Sequence, residues 1–163
     1  MAAETPAGEL TRPPDDRDVV MLARELNRLG ARFVVIGGVA MNRLGFIRAT
    51  DDLDLLIARD LENQRLIKQA LEILPDKAVR ELGDEDLSSW VVVRVNDAIT
   101  VDLMTEASGI SYAEAEAFIE WEELDGVKVP FAGPDLMLRF KQGLRGKDVL
   151  DRKFLEERRK KSS

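Results

Sequence analysis

Three aspartates and a pair of glycines are the residues here whose types and spacing best suit chemistry. Asp52 and Asp54 stand two apart in the run Asp51-Asp52-Leu53-Asp54-Leu55. In an extended segment successive side chains alternate between faces, so both carboxylates project the same way. Like charges that close repel, and each tends to hold its proton unless something positive sits between them. A hard divalent cation such as magnesium meets that need, because it prefers oxygen ligands and commonly takes one or two carboxylates with a substrate's phosphates. A solvated strand face would suit one aspartate. It suits Asp51, Asp52 and Asp54 together poorly, since aspartate is disfavoured in strands. Such departures from local propensity are expected at functional sites.

Asp102 is the only ionisable group in Ile99-Thr100-Val101-Asp102-Leu103-Met104. A carboxylate in so apolar a run is either satisfied by a buried partner or part of a site. Gly37-Gly38 follows the apolar run Phe33-Val34-Val35-Ile36 and precedes a helical stretch. Glycine lets the backbone turn sharply and approach a ligand closely, and the N–H groups opening the next helix suit phosphate. By itself a Gly-Gly pair also marks an ordinary turn.

The elements that must position these groups follow from periodicity. Residues 1–17 hold Pro6, Pro13 and Pro14 and no apolar period, which predicts a flexible arm. Val19, Leu22, Leu26 and Leu29 predict an amphipathic helix from Asp18, as N-cap, to Gly30. Phe33–Ile36 reads as a buried strand, Val39–Leu44 as a second helix, and 51–58 as a strand with one polar face. A helix over 61–74 and an antiparallel hairpin of 89–95 and 98–104 about Asn96-Asp97 come next. Ser111 to Trp121 reads as helical, and Val127–Phe131 as a short edge strand, since Pro130 bars a central position. Two helices, near 134–142 and 146–160, finish the chain. A metal site reaching all three aspartates requires neighbouring strands for Asp52/Asp54 and Asp102. The expectation is an α/β (α+β) fold with a mixed central sheet, flanking helices and C-terminal helices.

Composition narrows the chemistry further. The chain has 163 residues, 24 basic and 31 acidic, a formal net charge of −7, and neither cysteine nor histidine. That excludes thiolate nucleophiles, imidazole acids and bases, and metal sites built on either residue. The negative balance argues against a surface that tracks nucleic acid throughout, while leaving room for a local basic groove. No apolar run approaches the roughly 20 residues of a membrane span, and no signal-peptide core opens the chain. A soluble, cytoplasmic protein is expected.

The order Val35-Ile36-Gly37-Gly38-Val39-Ala40, a short gap, Arg48-Ala49-Thr50-Asp51-Asp52-Leu53-Asp54, and Asp102 on a later strand resembles the polymerase-beta-like nucleotidyltransferase superfamily. Leu136, Lys141 and the stretch Arg145-Gly146-Lys147-Asp148 with Asp151 bring it closer to the AbiEii-like group of abortive-infection and toxin–antitoxin nucleotidyltransferases. The resemblance spans roughly residues 18–158, which it marks as one nucleotidyltransferase-like domain. Residues 134–158 would be its C-terminal helices and 159–163 a basic tail. Where many relatives carry serine after the first glycine, this chain has Gly38.

The resemblance implies transfer of a nucleoside monophosphate from ATP or another nucleoside triphosphate to an acceptor, with pyrophosphate leaving. Asp52, Asp54 and Asp102 would bind magnesium or manganese in a two-metal site. Backbone N–H groups of Gly37, Gly38 and Val39 would hold the triphosphate, and Arg48 and Lys141 would add positive charge. It further implies RNA or tRNA as acceptor for a toxin-type enzyme, and an antitoxin as partner. On the residues alone, Arg48 could instead neutralise Asp51, and Lys141 could be a solvated helix residue. Lys147, Asp148 and Asp151 have the spacing of ordinary helix ion pairs, and Arg158-Arg159-Lys160-Lys161 suits a helix C-terminus. A small-molecule (antibiotic) or protein acceptor, and a non-catalytic nucleotide- or partner-binding domain, remain open. So does a nucleotide-sugar glycosyltransferase, which shares the Asp-x-Asp pattern.

Overall fold

The computed structural model describes residues 2–6, 11–141 and 146–162. Its elements run β1 (Ala2–Glu4), α1 (Asp16–Leu29), β2 (Phe33–Ile36), α2 (Gly37–Arg43), β3 (Asp52–Ile57), α3 (Leu61–Leu71) and α4 (Asp86–Ser89). Then come β4 (Val92–Asn96), β5 (Thr100–Met104), β6 (Glu106–Ala107), β7 (Ile110–Ser111), α5 (Tyr112–Ala115), β8 (Ile119–Leu124), β9 (Val127–Ala132), α6 (Pro134–Phe140) and α7 (Gly146–Ser162). Seven strands make one mixed sheet in the order β1-β4-β5-β3-β2-β9-β8, and β6 and β7 pair separately. The pairs β1/β4, β3/β5 and β2/β9 are parallel, and the other neighbours in the large sheet are antiparallel.

Alternation along β3 and β5 separates two kinds of face. Leu53, Leu55, Val101 and Leu103 are buried on the side away from the aspartates, in one core with Leu22 and Leu26 of α1 and Ile67 and Leu71 of α3. Burying each such side chain contributes roughly 1.5–3 kcal/mol. Helix α1 supplies its stripe from the expected spacing and stops at Gly30, which has φ 75°. Its start lies earlier than expected. Asp15 is the N-cap, and Asp18 is the third helical residue of a reciprocal capping box. Asp18 accepts the Asp15 N–H at 2.8 Å and the Arg12 guanidinium at 2.6 and 2.8 Å. Extending the helix to Asp15 places both carboxylates among free N–H groups, where the helix dipole favours them.

Three further expectations are corrected. The N-terminal stretch read as a flexible arm contains β1, in parallel register with Val92–Arg94, and the Thr5 N–H donates to the Arg94 carbonyl at 2.9 Å. Backbone pairing to an open sheet edge needs no apolar period, so hydropathy could not reveal it. The helix expected to reach Trp121 ends in a 3-10 turn at Glu116–Phe118, and Ile119–Leu124 is strand β8. Asp125 and Gly126, at φ 49° and 78°, form the two-residue hairpin turn that fixes Leu124 opposite Val127. Positive φ at both positions is the geometry such a turn demands. Strand β9 is therefore interior, between β2 and β8, rather than at an edge. Counting from the turn, Pro130 opposite Trp121 falls at a non-hydrogen-bonded pair, and pairing to β2 is confined to Val35 and Phe131. The missing N–H of Pro130 thus breaks no ladder bond to β8.

At the C-terminal end α6 and α7 pack together, and α7 docks on the segment leading into β3. Phe154 meets Phe46 edge to face at 5.0 Å, and Leu155 is fully buried. Arg145 of the quoted motif lies outside the described residues. No described helix is long and apolar enough to cross a membrane.

Candidate active site

The register of β3 on β5 sets Asp54 directly beside Asp102 and Asp52 beside Thr100. Cross-strand partners share a face of the sheet, so all three carboxylates converge. One oxygen from each of Asp52, Asp54 and Asp102 lies within 4.8 Å of the others. On the other side of β3, Ile36 is paired with Asp54, which delivers the turn after β2 onto the same carboxylate. Gly37 sits there at φ 71°, and a Cβ on it would stand 2.1 Å from Asp54 Oδ2. Glycine is the residue that permits both the backbone angle and the close approach. Gly38 is enforced differently, since a Cβ there would stand 2.3 Å from Thr50 Cγ2.

Burial first, and then the charges of Asp52 and Asp102, push the Asp54 carboxyl up to about 8. Asp52 is raised as well, by burial and by Asp102. Among the described residues, Arg94 of β4 supplies a counter-charge, which the β4–β5 register places opposite Asp102. Arg94 Nε donates to Asp102 Oδ1 at 2.8 Å and Nη2 to Oδ2 at 2.9 Å, while Nη2 also reaches Asp52 Oδ2 at 3.1 Å. Those bonds, above all the one to Asp102, raise the pKa of the guanidinium.

The donor set fits a hard divalent ion. All three groups are carboxylates, and metal–oxygen bonds of about 2.1 Å let ligands of one ion lie up to about 4.2 Å apart. The three oxygens, all within 4.8 Å of one another, lie close to that reach. Burial first, and then the neighbouring carboxylates, make the Asp54 carboxyl hold its proton well above the usual range, and a cation among the three would offset both.

The remaining expected residues are placed unevenly. Val39 lines a cavity of about 360 Å³ with Thr50, Arg43, Asp15, Asp16 and Glu122. Arg48 has its Nε 3.8 Å from where a Gly38 Cβ would be, beside the glycine turn. Its Nη1 is committed to Asp151, at 2.8 and 2.9 Å from the two carboxylate oxygens. Lys141 Nζ lies 3.3 Å from the same carboxylate. Arg48 and Lys141 thus meet at a buried acid of α7 rather than at the three aspartates. Sequence reasoning missed Arg94 and Thr50. Arg94 was signalled by the alternation Val93-Arg94-Val95, which puts a cation on the polar face of its strand, but only the true hairpin register aims it at Asp102.

Comparison with solved structures identifies the architecture. A Thermotoga maritima protein described as a candidate nucleotidyltransferase superposes with a TM-score of 0.54 at 17% identity, covering 86% of this chain and 92% of that one. An antigenic nucleotidyltransferase-like protein from Paracoccidioides brasiliensis aligns with a TM-score of 0.49 at 22% identity, covering 89% and 78%. No protein-family model and no curated protein matches the chain. The chain has the nucleotidyltransferase fold, and its sheet carries an aspartate triad whose oxygens are close enough together that they could hold a metal ion.

Proposed function

We propose that this chain is a metal-dependent nucleotidyltransferase of the AbiEii-like group, moving a nucleoside monophosphate from a nucleoside triphosphate to an acceptor. The observation that carries this reading is the Asp54–Asp102 cross-strand pair, with Asp52 beside it and the Gly37 turn against it. Asp52, Asp54 and Asp102 would hold magnesium or manganese. When bound, such ions supply the positive charge that phosphoryl transfer needs on its entering and leaving oxygens. The backbone N–H groups of Gly37, Gly38 and Val39 open α2, which no side chain caps, and would receive phosphate oxygens. Asp102 would take up the proton of the acceptor hydroxyl. Arg48 would contribute charge beside Gly38, with Lys141 behind it through Asp151.

RNA as acceptor, with an antitoxin as partner, follows from the group resemblance. A second reading, transfer to a small cationic molecule, is favoured by the cavity beside Val39 and Thr50. Asp15, Asp16 and Glu122 line it against a single arginine, Arg43, whose guanidinium pairs with Glu120. Such a lining attracts an amine and repels a polyanion. The test is incubation of the full chain and magnesium with each of the four labelled ribonucleoside triphosphates. Total RNA, lysate protein and a panel of small amines and polyols serve as separate acceptor pools. Label entering one pool supports the reading and names the acceptor class. No transfer, together with no binding of any triphosphate, refutes it.

A further inference from the structure

Arg94 engages both oxygens of the third carboxylate and sets a positive charge against the place where an ion on Asp102 would sit. Both oxygens of Asp102 are held by its fork, at 2.8 and 2.9 Å, and the same guanidinium reaches Asp52 at 3.1 Å. Two-armed arginine–carboxylate contacts are among the stronger hydrogen-bonded pairs because charge and planar geometry match at once. A second observation shows where the arginine can go. Strand β4 lies between β5 and β1, and Arg94 is the register partner of Asp102 on one side and of Glu4 on the other. Two acids therefore flank it across the sheet, and its side chain is 43% exposed, which leaves it room to turn.

We propose that Arg94 is the built-in counter-ion of the triad and controls access to its second cation position. One divalent ion enters at Asp52 and Asp54. The second reaches Asp102 only when the guanidinium leaves it for Glu4. Competition at direct contact follows, because the guanidinium and the ion are two cations crowded on the same carboxylate, and the guanidinium already reaches Asp52 as well. This inference rests on the metal-site reading above.

The experiment is titration of the full chain with manganese alone, followed by electron paramagnetic resonance of the free ion. Salt of about 0.5 M screens the long-range effect of removing one charge, while competition at direct contact persists. The wild-type chain is expected to take up one ion and then a second, weaker one. Arg94→Gln should tighten the weaker step by about tenfold or more, the size of a lost contact between charged groups. Arg94→Lys, which keeps a cation but not the fork, should fall between the two. Glu4→Gln should weaken the second step by removing the place where the guanidinium comes to rest.

An Arg94→Gln chain with wild-type circular dichroism and an unchanged or weaker second step overturns the proposal. So does a second step tighter in Arg94→Lys than in Arg94→Gln. If Arg94→Gln does not fold, Arg94→Lys and Glu4→Gln decide the matter by moving the second step in opposite directions, or failing to. Absence of manganese binding to wild type and variants alike removes the metal-site reading itself, and this proposal with it. Binding to wild type that the Arg94 variants leave untouched removes only the role of Arg94.

Discussion

Arg48, itself partly buried, pairs with Asp151 so that one guanidinium nitrogen stands 2.8 and 2.9 Å from the two oxygens of a fully buried carboxylate. The pair fastens α7 to the segment that enters β3, next to the turn at Gly38. Removing Arg48 takes away the two short contacts and leaves the buried carboxylate to Lys141 at 3.3 Å. Arg48→Met should therefore destabilise the metal-free chain by about 1.5–3 kcal/mol, the size of a lost hydrogen-bonded contact to a charged group, as read by urea denaturation. Lys141→Met should lose roughly 1 kcal/mol, because Arg48 still holds Asp151. An Arg48→Met chain of full stability that has lost only triphosphate binding would move Arg48 from scaffold to substrate.

Asp54→Asn separates function from structure at the triad. The amide keeps the shape of the side chain but not the charge a divalent ion requires. Transfer activity should disappear, while the melting temperature of the metal-free chain stays level or rises, because folding no longer has to hold a proton on a buried carboxyl beside Asp52 and Asp102. A fall in metal-free stability with transfer intact would mark Asp54 as a structural partner.

The same residue sets a pH dependence. Asp54 titrates at about 8 in the folded chain against 3.8 for an ordinary aspartate, chiefly through burial. Between these values the folded state holds the extra proton. The stability Asp54 contributes is thus fully present below about pH 4 and is lost as pH rises through 8. The difference in unfolding free energy between wild type and Asp54→Asn, measured from pH 5 to pH 8 without metal, should shift steadily against wild type. A difference that does not change with pH contradicts the raised carboxyl.

Gly38 and Thr50 offer a double-mutant test of the turn. A methyl group at Gly38 would stand 2.3 Å from Thr50 Cγ2, so Gly38→Ala should destabilise by about 1–3 kcal/mol through overpacking. Thr50→Ser removes that Cγ2, and the double variant should recover most of the loss in thermal melts. Additive losses would show that the clash is relieved elsewhere.

The site was legible in the sequence where chemistry breaks local propensity, and illegible where it depends on register. Paired aspartates in a strand and a lone aspartate among branched residues stand out because the local pattern does not favour them. Their adjacency in a mixed sheet was expected from the shared metal and is found in the β3–β5 pair. Arg94 was hidden by the hairpin. A two-residue turn at Asn96-Asp97 would set Asp102 opposite Val91, whereas the observed pairing of Asn96 with Thr100 sets it opposite Arg94. Buried Asp97 explains the wider turn, since its carboxylate accepts the N–H groups of Asp76, Ala78 and Ala98. That long-range anchoring leaves no periodic trace. Strand β8 was missed because Glu116–Trp121 suits a helix locally, and only pairing across Asp125-Gly126 overrides it.

Parallel pairing of β3 with β5 also governs when the triad comes into being. Parallel neighbours cannot be joined by a tight hairpin, so the chain must travel through α3, α4 and β4 before Asp102 can arrive beside Asp54. Closing that excursion draws on chain entropy before any contact of the triad rewards it, which raises contact order and slows folding. A nascent chain that has emerged only as far as Asp54 holds two crowded aspartates without their third neighbour. The complete carboxylate cluster forms after β5 is added, so a single backbone cut between β3 and β5 turns an intramolecular meeting of aspartates into an association of two fragments.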